Sequence, residues 1–121
     1  MFYPLRSYTG AVLPFEQLPA EAGTYKAGTM LLFEDGKLTT ATAPSGRCPY
    51  VSAGNETVVE GGTLTVVTNR SDVVWRCDDV VGTVAVGDKV GIADGVKVDS
   101  NASNKHLIVI AVRDDGSVEV R

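Results

Sequence analysis

The 121-residue chain contains few of the side chains that usually perform catalysis or bind metals. It has one histidine, His106, and two cysteines, Cys48 and Cys77, which lie far apart in the sequence. No second cysteine or histidine stands at the spacing that zinc sites use. Because most active sites need a base, a nucleophile or a metal beside a pocket, we expect that the protein is not an enzyme. We also expect that it uses no metal and no cofactor.

Each of these three side chains also has an ordinary structural interpretation. His106 comes just before an apolar run, and a lone histidine at a strand edge is more often solvated or capping than catalytic. The two cysteines are interpreted as separate thiols, one or both buried, as is usual in a reducing compartment. A disulfide between them remains open only if the strands that carry them are adjacent.

The chain also lacks clustered positive charge and long apolar runs. Its eleven lysines and arginines are scattered singly against fifteen acidic residues, so the formal net charge is −4. Since phosphate neutralisation needs clustered basic side chains, we expect no direct binding of nucleic acid, although an acidic domain can still meet a basic patch on a protein. No run approaches the roughly 20 apolar residues that cross a bilayer, so no membrane contact is expected. The N-terminus does not resemble a signal peptide, which predicts synthesis and retention in a cytoplasm.

The acidic pairs do not match a calcium-binding loop. Glu34-Asp35, Asp78-Asp79 and Asp114-Asp115 do not have the ligand spacing of an EF-hand. Asp35, Asp94 and Asp115 each precede a glycine, where turn formation already explains an aspartate. We therefore interpret them as turn residues.

The sequence does contain many glycines, β-branched residues and short apolar segments. Asp35-Gly36 stands between two apolar runs, which is a strong signal for a β-hairpin. Leu107–Val112 is the most hydrophobic run and is predicted to be a central strand buried on both faces. With no helix signature longer than one turn, these signals predict an all-β fold, a small single-domain β-barrel or β-sandwich of short hairpins.

Two hairpins share one arrangement of glycine and aspartate. Gly28 precedes Asp35-Gly36 at the same spacing at which Gly87 precedes Asp94-Gly95. This equal spacing is explained either by the common requirements of β-hairpins or by two pseudo-repeated hairpins that close one small barrel. Trp75 lies among valines, which favours the core over an exposed interface.

Residues 1–23 differ from the β-rich residues 24–121, because prolines interrupt an aromatic segment. Each proline removes a backbone donor, which excludes a regular helix or a central strand. We predict an extended N-terminal arm that either lies on a neighbouring surface or straps its own core, and a globular domain over residues 24–121. The candidate partner contacts in this arm are Phe2, Tyr3, Tyr8, Leu13 and Phe15.

The order of glycines, turns and strands resembles the capsid decoration, or cement, proteins of tailed bacteriophages. The resemblance covers roughly residues 24–121 as a pattern rather than as a signature motif, in the stretches Ala27-Gly28-Thr29-Met30-Leu31, Asp35-Gly36-Lys37-Leu38, Pro49-Tyr50-Val51-Ser52, Val86-Gly87-Asp88-Lys89-Val90, Ile108-Val109-Ile110-Ala111-Val112 and Val118-Glu119-Val120-Arg121. It implies a non-enzymatic structural protein that binds the major capsid protein on the capsid exterior, often as a trimer. It further implies a virion protein made in the host cytoplasm. The two cysteines and the aromatic arm are not features that the family explains.

A second interpretation is a non-viral binding or adhesion module with a protein or carbohydrate ligand. Such a module would need exposed aromatic side chains that form a platform. Outside the N-terminal segment, the sequence offers Tyr25, Tyr50 and Trp75 for that purpose.

Overall fold

The computed structural model describes residues 1–10 and 13–121, and these residues form fourteen strands and no helix. Residues 11–12, which fall within the predicted arm, lie outside the described residues. The all-β prediction is confirmed. The strands are β1 Phe2–Ser7, β2 Phe15–Pro19, β3 Gly23–Tyr25, β4 Met30–Glu34, β5 Lys37–Thr40, β6 Tyr50–Ser52, β7 Glu56–Val58, β8 Thr63–Thr68, β9 Val73–Cys77, β10 Val80–Val81, β11 Lys89–Ala93, β12 Lys97–Asp99, β13 Leu107–Val112 and β14 Val118–Val120.

The strands form a sandwich-like arrangement of open sheets. A seven-stranded sheet has the order β1-β9-β14-β13-β11-β12-β10, a five-stranded sheet has the order β2-β8-β6-β4-β5, and β3 pairs with β7. The edges of the five-stranded sheet approach each other at a single parallel bridge between Ala20 and Leu38. One bridge is not a continuous ladder, so within the described residues no sheet is closed into the barrel that was one of the two predicted architectures.

Both Asp-Gly hairpins form where the sequence places them. Asp35 and Gly36 have φ values of 49° and 78°, and they join β4 to β5 as a two-residue turn with both φ positive. Asp94 and Gly95 have φ values of 55° and 74° in the turn from β11 to β12. The predicted hairpins are therefore confirmed, and the two turns share positive φ values at both the aspartate and the glycine.

The second of these turns also links the two large sheets. The Met30 N–H donates to the Gly95 carbonyl at 2.7 Å, and the Asp94 N–H donates to the Thr42 carbonyl at 2.9 Å. A Cβ atom on Gly95 would lie 2.8 Å from Thr40 Cγ2, which is too close for carbon atoms. Glycine is thus needed here both for its positive φ and for the close approach of the sheets.

Two groups of buried apolar side chains form the core. The larger contains side chains from both the seven-stranded and the five-stranded sheet, among them Trp75, Met30 and Leu107. The smaller packs Leu31, Leu38 and other side chains of the curled five-stranded sheet against β3 and β7. Trp75 is fully buried, as predicted, and its Nε1–H donates to Asn69 Oδ1 at 2.7 Å.

The strand β13 is central, but the prediction that both of its faces are buried is wrong. It lies between β14 and β11 in the seven-stranded sheet, and Leu107 and Val109 point into the core. On the other face, Ile108 is 40% exposed. A continuous apolar run cannot reveal which side of a sheet lacks a covering layer, because it carries no alternation between polar and apolar residues.

Candidate interaction surface

The N-terminal segment, residues 1–23, contributes edge strands to both large sheets. Strand β1 pairs antiparallel with β9, and β2 pairs antiparallel with β8. Prolines are tolerated on edge strands because one side of such a strand has no ladder to complete. An extended arm that stands apart from the globular part is therefore not shown. The described part of the segment lies along its own sheets, which corresponds to the strap interpretation.

Phe2 fixes the start of this segment in the core. Its side chain is 1% exposed and belongs to the same buried group as Trp75. Its N–H donates to the Gly28 carbonyl at 2.9 Å, and a Cβ on Gly28 would lie 2.6 Å from the Phe2 carbonyl oxygen. Of the five predicted partner contacts, Phe2 is thus placed where it holds β1 on the core.

The other predicted contacts are mostly at the surface. Tyr3, Tyr8 and Phe15 are 41%, 55% and 70% exposed. Leu13 is half-buried and packs against the larger core group. The sequence did not identify Leu5 as a candidate contact. Leu5 is exposed at a register shift between Pro4 and Arg6. It was missed because a β-bulge of this kind has no simple sequence signal.

The outer edge of β1 is poorly suited to accept a partner strand. Pro4 has no N–H to donate, the register shift beside Leu5 bends the strand, and the Phe2 N–H is already bonded to Gly28. These three features are typical of edge strands that resist pairing with another chain. Tyr3 and Leu5 are therefore available through their side chains rather than through their backbone.

The outer edge of β2 is more open. The Ala20 N–H donates to the Gly62 carbonyl, so the alternation of antiparallel pairs directs the backbone groups of Glu16 and Leu18 toward β8. The backbone groups of Phe15 and Gln17 then point away from β8, and no described strand pairs with them there. This short edge can accept hydrogen bonds from an added strand, next to the most exposed aromatic ring of the segment.

Both cysteines are buried in the part of the chain that the structure describes. Cys48 and Cys77 are free, buried thiols, which confirms the interpretation of two separate thiols. Burial raises the pKa of Cys48 to about 11 and also raises the pKa of Cys77. Two surface depressions beside residues 99–105 contain neither cysteine nor His106 in their linings.

His106 is less exposed than the sequence indicates. Both ring nitrogens are buried and have no hydrogen-bond partner among the described residues. Burial, together with the nearby Arg47 guanidinium, lowers the pKa of the imidazole, so it is held neutral. The expected solvated or capping role for its side chain is therefore not what the structure shows.

Over the described ranges, no group of three or more histidine, cysteine, aspartate or glutamate side chains could hold a metal ion. No helix in these ranges is long and apolar enough to cross a membrane. Neither the family models nor the curated proteins with which the chain was compared gave a match.

Proposed function

We propose that the protein is a non-enzymatic structural protein that binds the outer surface of a bacteriophage capsid and stabilises it, with the N-terminal segment as a main contact. The observation that carries this proposal is the exposure of Tyr3 and Phe15 on paired edge strands and of Tyr8 directly after β1. Aromatic side chains are enriched at the centres of protein interfaces. The resemblance of the strand pattern to capsid decoration proteins is the reason for which we propose a capsid as the partner.

The edge strands explain how such contacts can be strong without a flexible arm. A disordered arm must be ordered when it binds, and this cost reduces the affinity. Here Phe2 and the β1–β9 ladder already hold the segment, so Tyr3 and Tyr8 are presented in a fixed arrangement. Pre-organisation of this kind lowers the entropic cost of association.

The proposed partner is the major capsid protein, and the proposed location is the capsid exterior after synthesis in the host cytoplasm. Capsid lattices present many identical sites, so self-association, for which a trimer is favoured, would engage several sites at once. Linked contacts raise the overall affinity by about 10²–10⁴ without any new type of contact. The individual contacts can therefore be modest.

A carbohydrate-binding or adhesion module is the alternative, and one aromatic pair favours it. Phe33 and Tyr50 have ring centroids 6.3 Å apart, and Phe33 is exposed. Trp75 and Tyr25 are buried, so two of the three aromatics that the sequence offered for a platform are not available. Binding on a glycan array that is lost in Phe33→Ala would favour this alternative.

The capsid proposal is tested by adding the purified protein to expanded capsids of a tailed bacteriophage assembled from the major capsid protein alone. We expect the protein to co-sediment with the capsids and to raise the temperature at which they disassemble. A variant of the solvent-facing turn, Asp35→Asn, serves as a control that keeps the fold and the N-terminal segment. Capsids that sediment without the protein and disassemble at an unchanged temperature would contradict the proposal.

A further inference from the structure

Basic residues that are scattered in the sequence gather on one face of the molecule. This basic face is the outer face of the seven-stranded sheet, opposite the side that packs in the core. Six of the eleven lysines and arginines lie on it, each within or directly after a different strand of the sheet: Arg6, Arg76, Lys89, Lys97, Arg113 and Arg121.

Strand pairing brings these side chains together. Tyr3 lies opposite Arg76 on the neighbouring strand, and Arg76 lies opposite Glu119, so all three side chains share one face. Arg121 follows Glu119 by two residues and therefore points to the same side. It exchanges both backbone hydrogen bonds with Ile108, whose partner on the next strand is Lys89.

The positive charge of this face is only partly compensated. Glu119 accepts hydrogen bonds from Arg6 at 2.9 Å and from Arg113 at 3.0 Å, so one carboxylate serves two guanidinium groups. These bonds hold the pKa of Glu119 below its ordinary value, which keeps the carboxylate charged. Arg76 pairs with Asp115 at the turn, at 3.1 Å.

The rest of the molecule has the opposite charge. Among the described residues, the strands of the sheet place six basic side chains and two carboxylates, Glu119 and Asp99, on this face. The turn carboxylates Asp94 and Asp115 pair with Lys97 and Arg76. The chain as a whole has eleven basic and fifteen acidic side chains, so the remaining five basic and eleven acidic side chains leave the rest of the chain strongly acidic. The net charge of −4 thus conceals a positive face on a strongly acidic body.

The composition of the basic face is that of a protein interface. Arginine and tyrosine are the types most enriched at interface centres, and the face combines arginines with Tyr3 and Tyr8. The Arg121 guanidinium lies 5.3 Å from the centre of the Tyr8 ring, in a cation–π arrangement. Ile108, 40% exposed, adds apolar surface between the charges. Arginines already held by carboxylates and rings lose little freedom on binding.

We infer that the basic face binds an acidic surface of a partner protein, through arginine–carboxylate pairs around Tyr3, Tyr8 and Ile108. The assignment of that acidic surface to the capsid rests on the proposed function, whereas the charge of the partner rests on the face itself. A nucleic-acid strand fits less well, because Glu119 lies in the middle of the face and the acidic body repels phosphate. A second copy of this chain is the other possible occupant, since its body is acidic.

The test compares two charge-matched double variants. Arg121→Gln with Lys89→Gln removes two charges from the basic face without touching the arginines that hold Glu119. Lys26→Gln with Lys37→Gln removes the same charge from residues 26 and 37, which lie outside the seven-stranded sheet. The probes are a short poly-L-glutamate peptide and a thymidine oligonucleotide of equal charge, each labelled for fluorescence anisotropy at low ionic strength.

We expect the face variant to weaken poly-L-glutamate binding about three- to tenfold and the control variant by less than about twofold. Equal losses in the two variants would overturn the inference, because the effect would then come from net charge alone. Tighter, face-dependent binding of the oligonucleotide would overturn it in favour of nucleic acid. Concentration-dependent light scattering that the face variant abolishes, with peptide binding unchanged, would overturn it in favour of self-association.

The same variants separate this inference from the proposed function. If the wild-type protein binds the peptide through the basic face but does not bind capsids, the proposed function fails and the acidic-partner inference stands. If the wild-type protein binds capsids and the face variant binds them equally well, the inference fails and the proposed function stands. Capsid binding that falls in the face variant and persists in the control supports both.

Discussion

Substitution of Phe2 and of Phe15 by alanine tests whether the N-terminal segment is part of the fold. Phe2 is 1% exposed, so Phe2→Ala loses nearly the whole transfer free energy of its side chain and leaves a cavity in the core group that contains Trp75. Together these terms cost about 3–5 kcal/mol. For a chain of this length the melting temperature should fall by roughly 10–20 °C. Phe15 is 70% exposed, so Phe15→Ala should cost less than about 1 kcal/mol.

The fluorescence of Trp75 provides the assay, because it is the only tryptophan and is fully buried in the same core group as Phe2. Urea unfolding followed at this side chain gives the free energy of unfolding for the wild type and both variants. If Phe2→Ala is as harmless as Phe15→Ala, the segment is a detachable arm rather than a strap, and β1 is not an integral strand of the seven-stranded sheet.

Three further predictions use other local features. Gly95→Ala should destabilise the protein by about 1–3 kcal/mol more than Gly36→Ala. Both glycines have positive φ, but only at Gly95 would the added methyl group lie 2.8 Å from a side-chain carbon. Urea unfolding of the two variants measures the difference, and equal losses of stability would refute the close approach of the sheets. The pKa of Glu119 lies below its ordinary value of 4.5, so its stabilising effect is present above about pH 4.5 and is lost as the pH falls through the folded-state pKa. Glu119→Gln should therefore be less stable than the wild type at neutral pH and should lose less on acidification, as measured by urea midpoints at neutral and acidic pH; parallel losses would contradict the pairing with two arginines. Cys48 and Cys77 should not react with a thiol reagent at mildly alkaline pH until urea unfolds the protein, because burial raises the pKa of both thiols. Rapid reaction of either thiol in the native protein would show that this thiol is exposed.

The sequence was most informative where local chemistry determines structure. Asp35-Gly36 and Asp94-Gly95 identify hairpins because few other residue pairs tolerate positive φ. The same logic excluded a helix or a central strand from the proline-rich start, and β1 and β2 are indeed edge strands. Burial of Trp75 among valines also followed from the local pattern.

Features that depend on long-range pairing were not accessible. The sequence could not decide between the two predicted architectures, a barrel and a sandwich, because the approach of the sheet edges at Ala20 and Leu38 depends on curvature that no short segment encodes. The outer face of β13 was assigned to the core, because nothing in an apolar run shows that a covering layer is missing. The basic face could not be predicted from the sequence, because its arginines come from different strands and only the register of strand pairing places them together.

The most direct test of the central claim is the affinity for capsids of a variant in which Tyr3, Tyr8 and Phe15 are all changed to serine. Its matched control changes Val59 and Val86, which are also highly exposed apolar side chains, to serine. With both proteins shown to be folded by Trp75 fluorescence, co-sedimentation should show binding that is lost in the aromatic variant and retained in the control. Equal capsid binding by the wild type and the aromatic variant would contradict the claim that the N-terminal segment makes the main contact.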